Sequence, residues 1–327
     1  MYNFCTLFET NYLSRGIALY ETLEKQCESF HLYIFAFNDK SFEVLNKLAL
    51  KHATIISLQE FENQELLAVK DDRSVGEYCW TCTSSTIKYC LDKYNLEECT
   101  YLDADLYFFS SPKVLFDELG NNSTLITSHR YTPEYDQTDL AGKYCVQFMV
   151  FKNNNEGLEV LNWWVNACLD WCYARAEDGK FGDQKYLDNW TSQFKGVHEL
   201  NHLGGGIAPW NVQQYDVSKK DGKLVGIEKK SKNKFDAVFY HFHNLKFIEN
   251  DKIELGEYVL TNEQIELFYK PYIQHLYQIK ERIRKIDSSF DANGTKPSSR
   301  TFRSRAKLIK RRVKGNYNIY KKEYFLK

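Results

Sequence analysis

The chain has 327 residues, 43% of them hydrophobic and 16% aromatic, with 5 prolines and a formal net charge of -1 at pH 7. That supplies core for one large α/β domain with an appendage or for two ordinary domains, and it excludes a disordered chain. Near-neutrality excludes action through bulk charge, yet the distribution is uneven: from Lys296 to Lys327 twelve Lys or Arg face a single acid, Glu323.

Taken in chain order, short apolar strands alternate with amphipathic helices through the N-terminal third, the pattern of a mostly parallel sheet. Phe4 to Phe8 reads as a strand, and Leu13, Ile17, Tyr20, Leu23 and Cys27 recur at helical spacing. Leu32 to Phe37 and Thr54 to Leu58 are the next strands. A helix-like stretch from Ser84 to Tyr94 leads into a strand that ends at Asp103, and the segment from Glu77 to Ser85, with Trp80, would enter that helix beside the strand end. Further strands are expected over Thr124 to Thr127 and Cys145 to Phe151, then a long helix marked by Leu158, Leu161, Val165, Cys168 and Cys172. Leu203 to Asn211 reads as a loop, Phe235 to Phe242 as a late strand, and Thr261 to Ile286 as helical. A Ser/Gly/Pro-bearing linker follows over Asp287 to Ser299. The expected division is a catalytic domain over 1–259, with halves 1–112 and 113–259, and a helical basic tail over 260–327.

Nine cysteines form an odd set, and the N-terminus lacks the charged-then-apolar run of a signal peptide, so a reducing cytoplasm is expected. The pair in Cys79-Trp80-Thr81-Cys82 has no second pair at finger-like spacing, which favours buried thiols over zinc. No apolar run reaches the length of a membrane span, so any membrane contact is expected to be peripheral, on the inner face of the plasma membrane. The basic end suits an anionic surface of that kind; nucleic acid is the weaker partner, because basic residues outside the sheet would bind it without reading sequence.

Chemistry concentrates in two places. Asp103-Ala104-Asp105 lies where a buried strand runs out, and carboxylates two apart on an extended strand point to the same side, toward one hard cation. Strand ends of open α/β sheets are also where ligands bind. In Phe239-Tyr240-His241-Phe242-His243-Asn244-Leu245-Lys246, His241 and His243 share a strand face. An imidazole beside two carboxylates makes a mixed site that suits Mn²⁺, while Mg²⁺ prefers oxygen and water, and Lys246 could meet phosphate oxygens. A satisfied core histidine at a sheet end is the plain alternative.

With these stretches the chain resembles the GT-A nucleotide-diphospho-sugar transferases, especially the glycosyltransferases akin to glycogenin and the lipopolysaccharide galactosyltransferases. The family's opening is matched by Leu7-Phe8-Glu9-Thr10-Asn11-Tyr12-Leu13-Ser14-Arg15-Gly16, its Asp-x-Asp by Asp103-Ala104-Asp105, and its Asp-Gln pair by Asp183-Gln184. Its late His-aromatic-x-Gly-x-x-Lys segment is approximated by His241 to Lys246, with Asn244 in place of Gly and the lysine one residue early. The resemblance implies an α/β fold, a GT-A Rossmann-like, mostly parallel mixed sheet flanked by helices, to which this chain adds a C-terminal helical basic extension. It implies a metal-dependent transferase using a nucleotide-sugar, UDP-sugar favoured, with retention of stereochemistry preferred; the basic tail alone adds the expectation of a glycan or lipid-linked sugar as acceptor. Metal, Mn²⁺ or Mg²⁺, would be held by Asp103, Asp105 and His241 or His243. The donor would be held by Thr6, Phe8, Tyr12, Arg15, Trp80, Asp103, Ala104 and Lys246, and Asp183 and Gln184 would act beside the reacting sugar. An N-cap role for Asp183 is the alternative.

Four further residues are expected to face sugar: Arg130 after the strand at Thr124, Gly205 where backbone can approach a ligand, and Trp210 and Asn211 behind Pro209. A sugar nucleotidyltransferase is the rival enzyme, but it calls for a Gly-rich basic loop where Thr10 to Gly16 offers one Gly and one Arg. A dehydrogenase fares worse, because no Gly-x-Gly-x-x-Gly opens the first helix.

Overall fold

A computed structural model describes residues 1–298 and 302–327, without the side chains of 302–307. Among the described residues sixteen strands run in chain order: β1 (Tyr2–Phe8), β2 (Phe30–Ala36), β3 (Ala53–Ser57), β4 (Glu98–Leu102), β5 (Leu106–Phe108), β6 (Thr124–Ser128), β7 (Tyr144–Lys152), β8 (Val197–Glu199), β9 (Gly205–Ile207), β10 (Tyr215–Lys220), β11 (Lys223–Glu228), β12 (Lys234–Asp236), β13 (Phe239–His241), β14 (Lys246–Ile248), β15 (Lys252–Glu254) and β16 (Ile319–Lys321). Seven of them form the central sheet in the order β3-β2-β1-β4-β7-β6-β8. β1, β2, β3 and β4 are parallel, and β7 runs antiparallel between β4 and β6. The expected α/β class is therefore what the chain adopts: a Rossmann-like mixed sheet, parallel in most of its pairings, flanked by helices and followed by a helical C-terminal segment.

Alternation along the strands explains the layering. Phe4 and Phe8 of β1, with Leu32, Ile34 and Ala36 of β2, bury one face against the helices Leu13–Gln26 and Lys270–Ile286. Cys5 and Leu7, with Tyr33 and Phe35, bury the other against the helices Val75–Lys93 and Asn155–Asp170. Strands covered on both faces read as near-continuous apolar runs, which is why the sequence shows them clearly.

Four boundaries differ from expectation. The helix expected from Ser84 begins at Val75, because Ser74 and Glu77 form a reciprocal capping box that satisfies its first N–H groups. The late strand breaks in two: Ala237 donates its N–H to Leu224 O while Val238 donates to Gly204 O, so the chain changes sheets between β12 and β13. The loop Leu203 to Asn211 contains β9, parallel to β13 in a small sheet ordered β5-β13-β9. The helix carrying Leu158 to Cys168 ends at Asp170, which leaves Cys172 just beyond it.

The basic C-terminal stretch folds back onto the body. β16 adds to β15, Phe325 is fully buried, and Arg311, 4% exposed, pairs with Glu254 and donates to Gly256 O at 2.8 Å. Arg300 lies outside the described residues, as do Ser299 of the expected linker and the side chains of Arg303, Arg305 and Lys307. No helix among the described residues is long and apolar enough to cross a membrane.

Candidate functional site

The strand order reverses beside β1: β2 and β3 lie on one side of it and β4 on the other, so a crevice opens past the carboxyl ends of β1 and β4. A cavity of about 620 Å³ sits there, lined among others by Phe8, Tyr12, Trp80, Asp103, Ala104, Asp105, Asp183, Gln184, Trp210, His241 and His243. Segments far apart in sequence meet in it.

Asp103 and Asp105 occupy a turn that joins β4 to β5, closed by Leu106 N–H donating to Asp103 O at 3.1 Å. The two carboxylates are thus brought together by a turn, where an extended strand was expected. Asp105 O also accepts the N–H of Phe242 at 3.1 Å, which ties the turn to the end of β13. Nε2 of His241 lies 3.2 Å from Asp105 Oδ1 and 3.7 Å from Asp103 Oδ2. Nδ1 of His241 meets Gln147 Oε1 at 2.9 Å. A carbonyl oxygen can only accept, so Nδ1 carries the hydrogen and Nε2 faces the carboxylates.

His243 lies past the end of β13, and its ring and that of His241 both stand edge-on to Trp210, at 5.4 and 5.3 Å. Asn244 has φ of +62°, a left-handed conformation that favours glycine and that asparagine tolerates.

Burial sets the electrostatics. It pushes the Asp103 carboxyl up to about 6 against the pull of His241, and the Asp183 carboxyl up to about 7 with Asp103 adding to it. Asp105 is raised by burial too, but His241 outweighs this and holds it below the ordinary carboxylate range. Burial lowers His243 to about 4 and His129 to about 3, so both rings are neutral at pH 7. Asp183 does not cap a helix; the turn Lys185–Asn189 starts after Gln184, and the Asp183 backbone carbonyl accepts from Trp164 Nε1 at 2.9 Å. Gln184 Nε2 donates to Ala141 O at 2.9 Å.

Six expected contacts lie outside the cavity lining. Thr6 is buried within β1. Arg15 donates to the carbonyls of Asn11, Asn293 and Leu245, each at 3.1 Å. Lys246 opens β14. Arg130, in a left-handed backbone conformation, donates to Leu200 O at 2.7 Å, Gly205 O at 3.2 Å and Leu203 O at 3.3 Å. Gly205 is crowded by its own chain, since a Cβ there would come 2.6 Å from Leu200 and 2.7 Å from Leu115. Asn211 is fully buried; its Nδ2 donates to His129 O and Gly206 O at 2.9 Å and its Oδ1 accepts from Ala208 N–H.

Gln147, Cys145 and Tyr258 were not anticipated, whereas His129, next to Arg130 after the strand at Thr124, was open to a sugar contact. Cys145, His129 and Tyr258 line the cavity, and Gln147 holds His241. The one sequence signal is Gln147 itself, a polar residue inside the apolar run of β7. Asp103, Cys145 and His241 offer ligand atoms that all lie within 4.8 Å of one another, a cluster able to hold a metal ion. Cys5, Cys90 and Cys99 form a second such group, fully buried in the core.

No family model matches the chain. Its fold overlaps the galactosyltransferase LgtC, in complex with donor and acceptor sugar analogs, at 15% identity and a TM-score of 0.41, over 60% of this chain and 72% of that one. It is 29% identical over 305 residues to the uncharacterized protein YfnF of Bacillus subtilis (strain 168), which spans 91% of this chain and 99% of YfnF. It is 30% identical over 295 residues to the uncharacterized protein YfnD of the same organism, spanning 88% of this chain and 92% of YfnD. With that identity sustained along nearly all of both chains, this protein belongs to the family of YfnD.

Proposed function

We propose that the protein is a metal-dependent glycosyltransferase that moves a sugar from a nucleoside-diphosphate sugar, UDP-sugar favoured, to a glycan or lipid-linked acceptor in bacterial surface polysaccharide assembly. The observation that carries this reading is the gathering of Asp103, Asp105 and Asp183 in one cavity at the strand ends, with His241 as the imidazole paired to the first two.

That charge balance fits a divalent cation. Three largely buried carboxylates exceed what one imidazole compensates, and two carboxylates with an imidazole are donors that Mn²⁺ accepts and that Mg²⁺ tolerates. Asp103, Asp105 and His241 would hold the ion, which when bound supplies Lewis-acid neutralisation of the leaving diphosphate.

The chain's own groups do the rest. Phe8, Tyr12 and Trp80 give the cavity an aromatic side suited to a nucleobase, and Trp210 forms a wall beside both histidines. Asp183 presents a carboxylate beside the reacting sugar, where it stabilises positive charge developing at the anomeric carbon. Gln184, fixed through Ala141 O, orients the sugar. Retention is the preferred outcome.

Asp183→Asn keeps shape and removes the charge. It is expected to lower the rate of nucleotide release from the productive donor by roughly 10²-fold with little change in donor KM. A rate within twofold of the wild type would remove Asp183 from the chemistry.

The C-terminal helix Phe302–Val313 supplies membrane attachment in this reading. Ile309 and Val313 are exposed on the side opposite the anchored Arg311, flanked by exposed Lys310, Arg312 and Lys314. Deleting the basic end from Lys296 to Lys327 would also remove β16 and the buried Phe325, so charge reversal is the cleaner test. Lys310→Glu with Arg312→Glu and Lys314→Glu should abolish cosedimentation with phosphatidylserine vesicles and leave the melting temperature near that of the wild type. Undiminished cosedimentation would refute the attachment.

A further inference from the structure

A sulfur atom lies among the oxygen and nitrogen donors. Cys145 and Gln147 are two residues apart on β7 and so point to the same side of the sheet. Gln147 uses that direction to hold His241 Nδ1, turning Nε2 toward Asp105 and Asp103. Cys145 uses it to bring Sγ within 4.8 Å of the ligand atoms of both Asp103 and His241, while lining the cavity. Its sulfur is not in a disulfide, and the residue, although only 4% exposed, lines the cavity. By contrast Cys5, Cys90 and Cys99, the other clustered thiols, are wholly enclosed.

We infer that Cys145 is a thiolate ligand of the metal centre, and that the centre prefers ions tolerant of sulfur, Zn²⁺ and Co²⁺ ahead of Mn²⁺, with Mg²⁺ last. This rests on the proposed metal site and adds a donor to it. Hard Mg²⁺ holds oxygen and water and gains little from sulfur, whereas later divalent ions bind imidazole and thiolate increasingly well. Coordination breaks the S–H bond and forms a sulfur–metal bond, and the proton leaves to buffer, so metal uptake weakens as pH falls. Gln147 is the positioning residue that fixes the imidazole for the same ion.

Cobalt reports on the ligand directly. Titrating the full-length protein with Co²⁺ is expected to give visible ligand-field bands together with a near-ultraviolet sulfur-to-cobalt charge-transfer band, saturating together. Cys145→Ser, close in size, should keep the visible bands and lose the near-ultraviolet one, and Cys145→Ala, which has no donor there, should lose it as well. Visible bands without the charge-transfer band in the wild type would overturn the thiolate ligand and leave the metal site standing. A charge-transfer band undiminished in both variants would also overturn it, assigning the sulfur to the enclosed cysteines. No cobalt spectrum from any of the three proteins, each shown to be folded by circular dichroism, would remove the metal site and its thiolate together.

Discussion

Asp105→Asn is expected to lower metal-dependent nucleotide release from the productive donor by about 10²–10³-fold without unfolding the protein. The substitution is nearly isosteric, and the backbone oxygen that accepts from Phe242 N–H is unaffected, so the turn between β4 and β5 stays in place. What is lost is one of two carboxylate charges beside His241. Asp105 is the closer partner, at 3.2 Å against 3.7 Å for Asp103, and the one that His241 holds ionised against its burial. Steady-state release measured across Mn²⁺ concentrations checks this. The variant should need more metal and still fall short at saturation, because both ion binding and charge placement depend on this side chain. Full recovery at high Mn²⁺ would restrict Asp105 to affinity alone.

Arg15→Met should destabilise the fold by about 3–5 kcal/mol, because three backbone carbonyls lose a charged donor. For a chain of this size that lowers the melting temperature by on the order of 10 °C. Arg15 is 4% exposed, and its guanidinium joins three segments: Asn11 before the first helix, Leu245 just past His243, and Asn293 in the C-terminal region. Truncation would strand those carbonyls, each costing roughly 1–3 kcal/mol if left unsatisfied. Arg15→Lys should recover only part of the loss, since an ammonium cannot reproduce the planar fork. Thermal melts of both variants, with donor KM measured below the transition, separate this role from the phosphate contact that the motif resemblance implies. A small change in melting temperature with a large rise in KM would restore the phosphate role.

Legibility in the sequence followed burial. β1 to β4 were readable because strands covered on both faces leave unbroken apolar runs, and the strand end carrying Asp103 was readable because its two carboxylates interrupt such a run. The same burial hid Cys145 and Gln147, since Cys145-Val146-Gln147-Phe148 reads as core until His241 is seen to return beside it. Arg15 and Arg130 were misleading in a different way. Arg15 was expected to hold the donor and Arg130 to face sugar, but here each fork is occupied by three backbone carbonyls, a use set entirely by tertiary contacts. The basic C-terminal stretch reads as a solvated tail because β16 is three residues long and Arg311 finds Glu254 at a separation of 57 residues, beyond any local pattern.

The most direct test of the central claim is a thermal-shift series on the wild type and Asp105→Asn with UDP-, GDP- and CMP-sugars, each with and without Mn²⁺. Stabilisation of the wild type by a UDP-sugar is expected to require Mn²⁺ and to disappear in Asp105→Asn. No metal-dependent stabilisation by any nucleotide-sugar, with the wild type folded throughout, would contradict it and leave the carboxylate turn as a structural strand end.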